Sequence, residues 1–169
     1  MSVPFTGDTF LCRGKDEIMK TNLIFLTDFT DPRFRAAFQT YFTELGIAVK
    51  KWDDLFQEMN TEGNNCAYLL LSEADEVIGF LQFQRTVFTN WFFEEPLGFI
   101  REFWVAPAHR KQGCGTQLLN QTEQYLASQN MHRSILTADN AIDFYLARGY
   151  EKSPGITAKN KMEVLTKHI

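Results

Sequence analysis

The architecture of this chain turns on Phe103-Trp104-Val105-Ala106-Pro107-Ala108-His109-Arg110-Lys111-Gln112-Gly113-Cys114-Gly115-Thr116-Gln117-Leu118-Leu119. Its apolar beginning reads as the end of a strand, closed by Ala106-Pro107. Its close opens an amphipathic helix. Leu118, Leu119, Thr122, Tyr125 and Leu126 fall on one stripe, while Gln117, Gln121, Glu123 and Gln124 face elsewhere. Between the two lies a basic, glycine-punctuated turn. A helix N-terminus leaves backbone N–H groups without intrahelical partners and carries partial positive charge. Glycines at 113 and 115 let a ligand approach that backbone, and Arg110 and Lys111 add formal charge. The turn suits a phosphate or pyrophosphate.

Absent motifs narrow the ligand. There is no GxxxxGK[ST], which excludes the Mg-nucleotide cradle. Gly113-Cys114-Gly115-Thr116-Gln117-Leu118 lacks the third glycine of the dinucleotide fingerprint, and the strands before it read as antiparallel. A lone GxG turn is more often a plain strand–helix connection with surface charges than a ligand site. Its neighbours must decide.

Upstream, Leu97 to Val105 follows two further strands, Cys66 to Leu71 and Val77 to Phe83, joined as a hairpin by the polar turn Ser72–Glu76. Leu23 to Leu26 is another strand-like run. Asp31-Pro32 opens a helix to about Leu45, with Phe34, Ala37, Phe38, Tyr41, Phe42 and Leu45 on one face and Gly46 as its stop. A second helix carries Trp52, Leu55, Phe56 and Met59. Downstream come a strand (Ser134 to Thr137), a helix (Ala141 to Arg148, stopped by Gly149) and a closing strand around Met162 to Leu165. Antiparallel strands followed by strand–helix alternation predict an α/β layer on a mixed sheet. Residues 1–22 show no period and read as an arm of uncertain structure; residues 23–169 read as one domain.

Composition excludes several classes. Lys plus Arg total 17 against 21 for Asp plus Glu, a net charge of -4, which argues against a nucleic-acid binder. No apolar run approaches the roughly 18 residues of a membrane helix. Met1–Asp8 carries no basic-then-apolar leader, so the expectation is a cytoplasmic protein with no membrane partner. The three cysteines, Cys12, Cys66 and Cys114, have neither CxxC nor Cys/His spacing; no disulfide framework and no metal site is expected. Sixteen phenylalanines are ample for one core.

The opening stretch resembles the signature of the GNAT family of N-acetyltransferases, an [RQ]-x-x-G-x-[GA] turn after a strand ending in Val-x-Pro. Arg110, Gly113 and Gly115 fill its three marked places. Ala141-Ile142-Asp143-Phe144-Tyr145-Leu146-Ala147-Arg148-Gly149-Tyr150 is similar to the family's later helix. The order of elements from Leu23 to Leu165 is similar too. The resemblance implies an α/β fold with a mixed, mostly antiparallel central sheet flanked by helices, its strands splayed at the cofactor cleft. It implies acetyl-CoA as co-substrate, with the pyrophosphate on the amides of Lys111, Gln112, Gly113, Cys114, Gly115 and Thr116, and with Arg110 beside them. The pantetheine arm would lie along Phe103, Trp104 and Val105, where one N–H polarises the thioester carbonyl. An amine attacks directly, so Cys114 is not read as a nucleophile. Dimers are frequent among such proteins, so a homodimer is one expected state.

The resemblance also marks catalytic candidates. Tyr145 matches the tyrosine that protonates the departing thiolate; the plainer alternative is a core tyrosine sharing a face with Ile142 and Leu146. Glu102 stands where such proteins often carry an acidic residue and is the candidate base for the ammonium, while Arg101 fills the place where some relatives put a base-like glutamate. Strand alternation allows Glu102 to pair elsewhere, and a water relay is the alternative. Asn140 is a candidate pantetheine contact before the later helix. His109 reads as an exposed turn residue.

The acceptor is read as a primary amine: a small molecule, an aminoglycoside-like polyamine, or a lysine side chain. Trp52, Asp53, Asp54 and Glu58, with the segment Phe88-Thr89-Asn90-Trp91-Phe92-Phe93-Glu94-Glu95-Pro96, could attract such a cation. Equally, that segment could pack on a partner subunit. Two other readings stay open: a catalytically silent acyl-CoA-binding module, and an unrelated nucleotide-binding α/β domain.

Overall fold

A computed structural model of the chain describes residues 9–13 and 18–169. The elements are β1 (Thr9–Arg13), β2 (Ile18–Leu26), α1 (Pro32–Glu44), α2 (Trp52–Glu62), β3 (Asn65–Leu71), β4 (Val77–Thr89) and β5 (Glu94–Val105). After a 3-10 turn, Pro107–His109, follow α3 (Cys114–Ser128), β6 (Arg133–Ala138), α4 (Ile142–Leu146), β7 (Glu151–Lys152) and β8 (Glu163–His168). Of the sequence-defined arm, residues 1–8 and 14–17 lie outside the described residues, while 9–13 and 18–22 are strand. Nothing in their composition announces it; β1 is fixed by its antiparallel pairing with β2, from Thr9↔Asn22 to Arg13↔Ile18.

The contacts divide into two compact units. The first holds the described residues up to Gln82 together with Glu102–Asn120; the second holds Phe83–Arg101 and Gln121–Ile169. In the first unit the strands run β1-β2-β3-β4-β5. β3 is buried along its whole length, which is why Cys66 to Leu71 reads as an unbroken apolar run rather than an alternating one. Phe25 stands opposite Tyr68 in the β2–β3 register, and their rings meet edge to face at 5.3 Å.

Helices α1 and α2 cover one face with an aromatic core. Asp31 caps α1, accepting from the Arg33 N–H at 2.9 Å, and Pro32 occupies the first helical position, as the sequence predicts. The Phe34 ring lies 5.0–6.1 Å from Phe29, Phe38, Phe56 and Phe80. Phe80 in turn packs on Trp104 at 5.9 Å. The apolar stripe of α1 ends one turn sooner than expected: Leu45 caps the helix and is exposed.

In the second unit the order is β4-β5-β6-β8-β7. Leu97–Phe99 of β5 pairs in parallel with Arg133–Ile135 of β6, and β8 pairs antiparallel with β6 and β7. The sheet is therefore mixed and mostly antiparallel, as predicted. A Cβ on Gly98 would fall 2.3 Å from a Leu126 methyl, so α3 packs directly on β5 there. Glu123 departs from the expected outward face. It is buried, because Lys167 reaches it with Nζ 2.5 Å from Oε2. Strands β4 and β5 extend beyond the sequence expectation into a longer hairpin, whose tip shows Trp91 at 99% and Phe92 at 91% exposure.

Candidate functional site

Within the first unit, the C-terminal half of β5 and the turn after it lie against the last turns of α1. Tyr41 and Glu44, three residues apart, share a helix face. Glu102 and Trp104, two apart, share a strand face. The two pairs match. The Tyr41 hydroxyl donates to Glu102 Oε2 at 2.9 Å, and Trp104 Nε1 donates to Glu44 Oε1 at 3.1 Å. Alternation thus turns Glu102 towards α1, where it is half-buried. The opposite face of β5 carries Val105. A Cβ on Gly79 would meet Trp104 O at 3.0 Å, the Leu118 methyl at 3.1 Å and the Val105 methyl at 3.4 Å. Only a bare Cα lets β4 and α3 approach β5 that closely.

Arg110 leads the turn and is engaged at both ends of its guanidinium. Nε donates to Val105 O at 2.8 Å, and Nη2 to Glu44 Oε2 at 2.7 Å. The arginine therefore ties the turn to the strand end and to α1. Gln112 Nε2 donates back to Ala108 O at 2.8 Å. Lys111 and Gly113 both adopt left-handed backbone, at φ 61° and 87°, which curls the chain into the helix. The first helical bond runs from Gln117 N–H to Gly113 O at 3.0 Å, so the amides before Gln117 stand at the positive end of α3.

A methyl placed on Gly113 would touch nothing within 4 Å. There is open space in front of this backbone, and Lys111 is exposed beside it. The segment fits an anionic phosphate group. Cys114 is fully buried and unoxidised, its thiol turned from solvent. Phe103, Val105, Gly115 and Thr116 are half-buried. His109 is less open than expected, with Nδ1 sealed from solvent. Among the described residues, no group of three or more His, Cys, Asp or Glu side chains could hold a metal ion. No described helix is long and apolar enough to cross a membrane.

Tyr145 and Asn140 belong to the second unit. Tyr145 is buried on α4, edge-on to Phe144 at 5.2 Å and to Tyr150 at 5.5 Å. Arg148 lies over the Phe144 ring at 3.7 Å and donates to Phe144 O, closing the short helix. The Tyr150 hydroxyl meets Ser134 Oγ at 2.8 Å; burial, reinforced by the negative charge of Glu123, pushes that phenol well above its usual range. Asn140 is exposed ahead of α4. Sequence reasoning missed Tyr41 and Glu44 as site residues. It placed Tyr41 among the core residues of α1, and only its three-residue spacing to a carboxylate hints at a polar face.

A strand, a glycine turn and a helix N-terminus on a mixed α/β sheet make an α/β protein with a backbone that fits an anion. The comparisons sharpen that class. The profile of the Acetyltransferase (GNAT) family matches residues 25–150. The chain is 28% identical over 132 residues to the aminoglycoside N(6')-acetyltransferase type 1 of Acinetobacter haemolyticus, covering 74% of this chain and 90% of that protein. Among solved structures it is similar to a GNAT-family acetyltransferase from Staphylococcus aureus Mu50 (TM-score 0.66, 13% identity, 88% and 98% coverage). It is also similar to an aminoglycoside acetyltransferase from an uncultured soil metagenomic sample, solved with trehalose (TM-score 0.63, 20% identity, 82% and 91% coverage). The chain belongs to the GNAT family and is an acetyltransferase.

Proposed function

We propose that this chain moves the acetyl group of acetyl-CoA to a primary amine by direct attack within a ternary complex, in the cytoplasm. The observation that carries this reading is the open, left-handed backbone at Gly113 at the positive end of α3. The family match stands behind it. In this reading the amides from Lys111 to Thr116 hold the pyrophosphate. Arg110 keeps the turn in shape through Val105 and Glu44, and Lys111 supplies the cation. Phe103, Trp104 and Val105 carry the pantetheine arm, with Asn140 as a further contact. Bound acetyl-CoA supplies an activated thioester.

The chain's own groups do the rest. Glu102, held by Tyr41, takes the proton from the acceptor ammonium, directly or through water, since an alkyl ammonium near pKa 10 cannot attack. A backbone N–H at Trp104 or Val105 polarises the carbonyl. Tyr145 gives its proton to the leaving thiolate. The acceptor is an aminoglycoside-like polyamine, a choice supported by the 28% identity to an aminoglycoside acetyltransferase. Of the acids on α2, Asp53 is paired with Arg35, Asp54 with Lys51, and Glu62 accepts from Asn65, which leaves the exposed Glu58 for a cation.

The test is release of free coenzyme A thiol from acetyl-CoA over a panel of aminoglycosides, polyamines and lysine peptides, with acetylated product identified by mass. Amine-dependent release that drops sharply in Tyr145→Phe supports the proposal. Cofactor binding without turnover across the panel favours the silent binding module.

A further inference from the structure

Gln82, on β4, is fully buried, and neither its amide nitrogen nor its carbonyl oxygen has a hydrogen-bond partner. A buried carboxamide with no partner from the chain at either end is costly, and a methionine of the same shape would avoid the cost. Its place in the hairpin gives it a purpose. The Ala106 N–H donates to Ile78 O at 2.9 Å, and the Phe80 ring lies on Trp104. Ile78 therefore stands opposite Ala106, and Phe80 opposite Trp104. Two residues further along, Gln82 falls opposite Glu102, on the face that both Phe80 and Glu102 turn to α1. Opposed Cβ atoms in such a pair lie about 4.5–5.5 Å apart, close enough for one water to join two long polar side chains. A buried water needs two to four polar partners, and the Gln82 amide with the Glu102 carboxylate provides them.

We propose that Gln82 is a positioning residue for Glu102, acting through one buried water that bridges the carboxamide and the carboxylate. This rests on the reading of Glu102 as the base of the transfer. The water donates to the carboxylate and fixes its direction alongside the Tyr41 hydroxyl. From α1 the Tyr41 hydroxyl faces Glu102, while Glu44, three residues on, is engaged by Trp104 and by Arg110 from the turn; Gln82 itself is neutral. Losing the bridge leaves the carboxylate with one donor fewer, which favours its protonated form.

The experiment has two arms on the full chain. The first is a double-mutant cycle in urea unfolding over Gln82→Met and Glu102→Gln, with Gln82→Leu replacing Gln82→Met if the latter does not fold. The second is the pH profile of kcat/KM for wild type and Gln82→Met with an active amine. The proposal expects non-additive stabilities in the cycle, and an acid limb moved upward by about half a unit to one unit. Additive stabilities overturn it, and so does an unmoved acid limb. Failure to acetylate any amine counts against the transferase reading alone, because the cycle still decides the coupling.

Discussion

The hydroxyl of Tyr41 donates to Oε2 of Glu102 across 2.9 Å, joining the last turns of α1 to the strand that runs into the glycine turn. A donor to a carboxylate favours its charged form. Tyr41→Phe keeps the ring contacts with Phe38 and Phe80 and removes only that donor. The expected result is an acid limb of kcat/KM moved to higher pH, with a stability loss of about 1 kcal/mol. Turnover across pH and urea unfolding measure the two separately.

Glu44 accepts from Trp104 Nε1 and from the Arg110 guanidinium. Glu44→Ala frees both and loosens the turn without altering its backbone sequence. Calorimetry should show acetyl-CoA affinity falling about tenfold, roughly 1.4 kcal/mol. Glu44→Gln should fall between, since it keeps an acceptor for Trp104 but loses the ion pair.

Gly79 and Gly113 make opposite demands on an added methyl. At Gly79 it meets backbone at 3.0 Å, so Gly79→Ala should lower stability by about 1–3 kcal/mol through overpacking. At Gly113 there is space but the backbone is left-handed, so Gly113→Ala should cost about 1 kcal/mol of conformational strain. Its larger effect should be on acetyl-CoA affinity. Unfolding and binding measured on both variants distinguish packing from cofactor approach.

Asp31 caps α1, and the Arg33 hydrogen bond holds its carboxyl below the usual carboxylate value. A lowered folded value contributes stability above the ordinary carboxylate range, and that stability is lost as pH falls through the folded value. Asp31→Ala should therefore cost about 1 kcal/mol at neutral pH, with the gap closing below about pH 4. Urea unfolding of the two proteins at both pH values reads it.

Much of this was legible because local rules coincide with the fold. Asp31-Pro32 caps α1, Ser72–Glu76 makes the hairpin turn, and Gly113 falls where the chain must turn left-handed into α3. What was illegible depends on distant partners. β1 has no period of its own and exists through its register with β2. Glu123 reads as a surface residue until Lys167, 44 positions away, is seen beside it. Tyr41 reads as core because spacing reports the face of a helix and not the carboxylate opposite. Gln82 sits in an apolar run, and its unpaired amide is visible only in three dimensions.

The proposed function stands or falls on acetyl-CoA binding at the glycine turn through its pyrophosphate. Calorimetric titration of the purified chain with acetyl-CoA, alongside Gly115→Glu, tests it most directly. Saturable binding in the wild type, abolished by the new carboxylate, is the predicted result. No binding to the wild type at millimolar acetyl-CoA, or equal binding by both proteins, would contradict it.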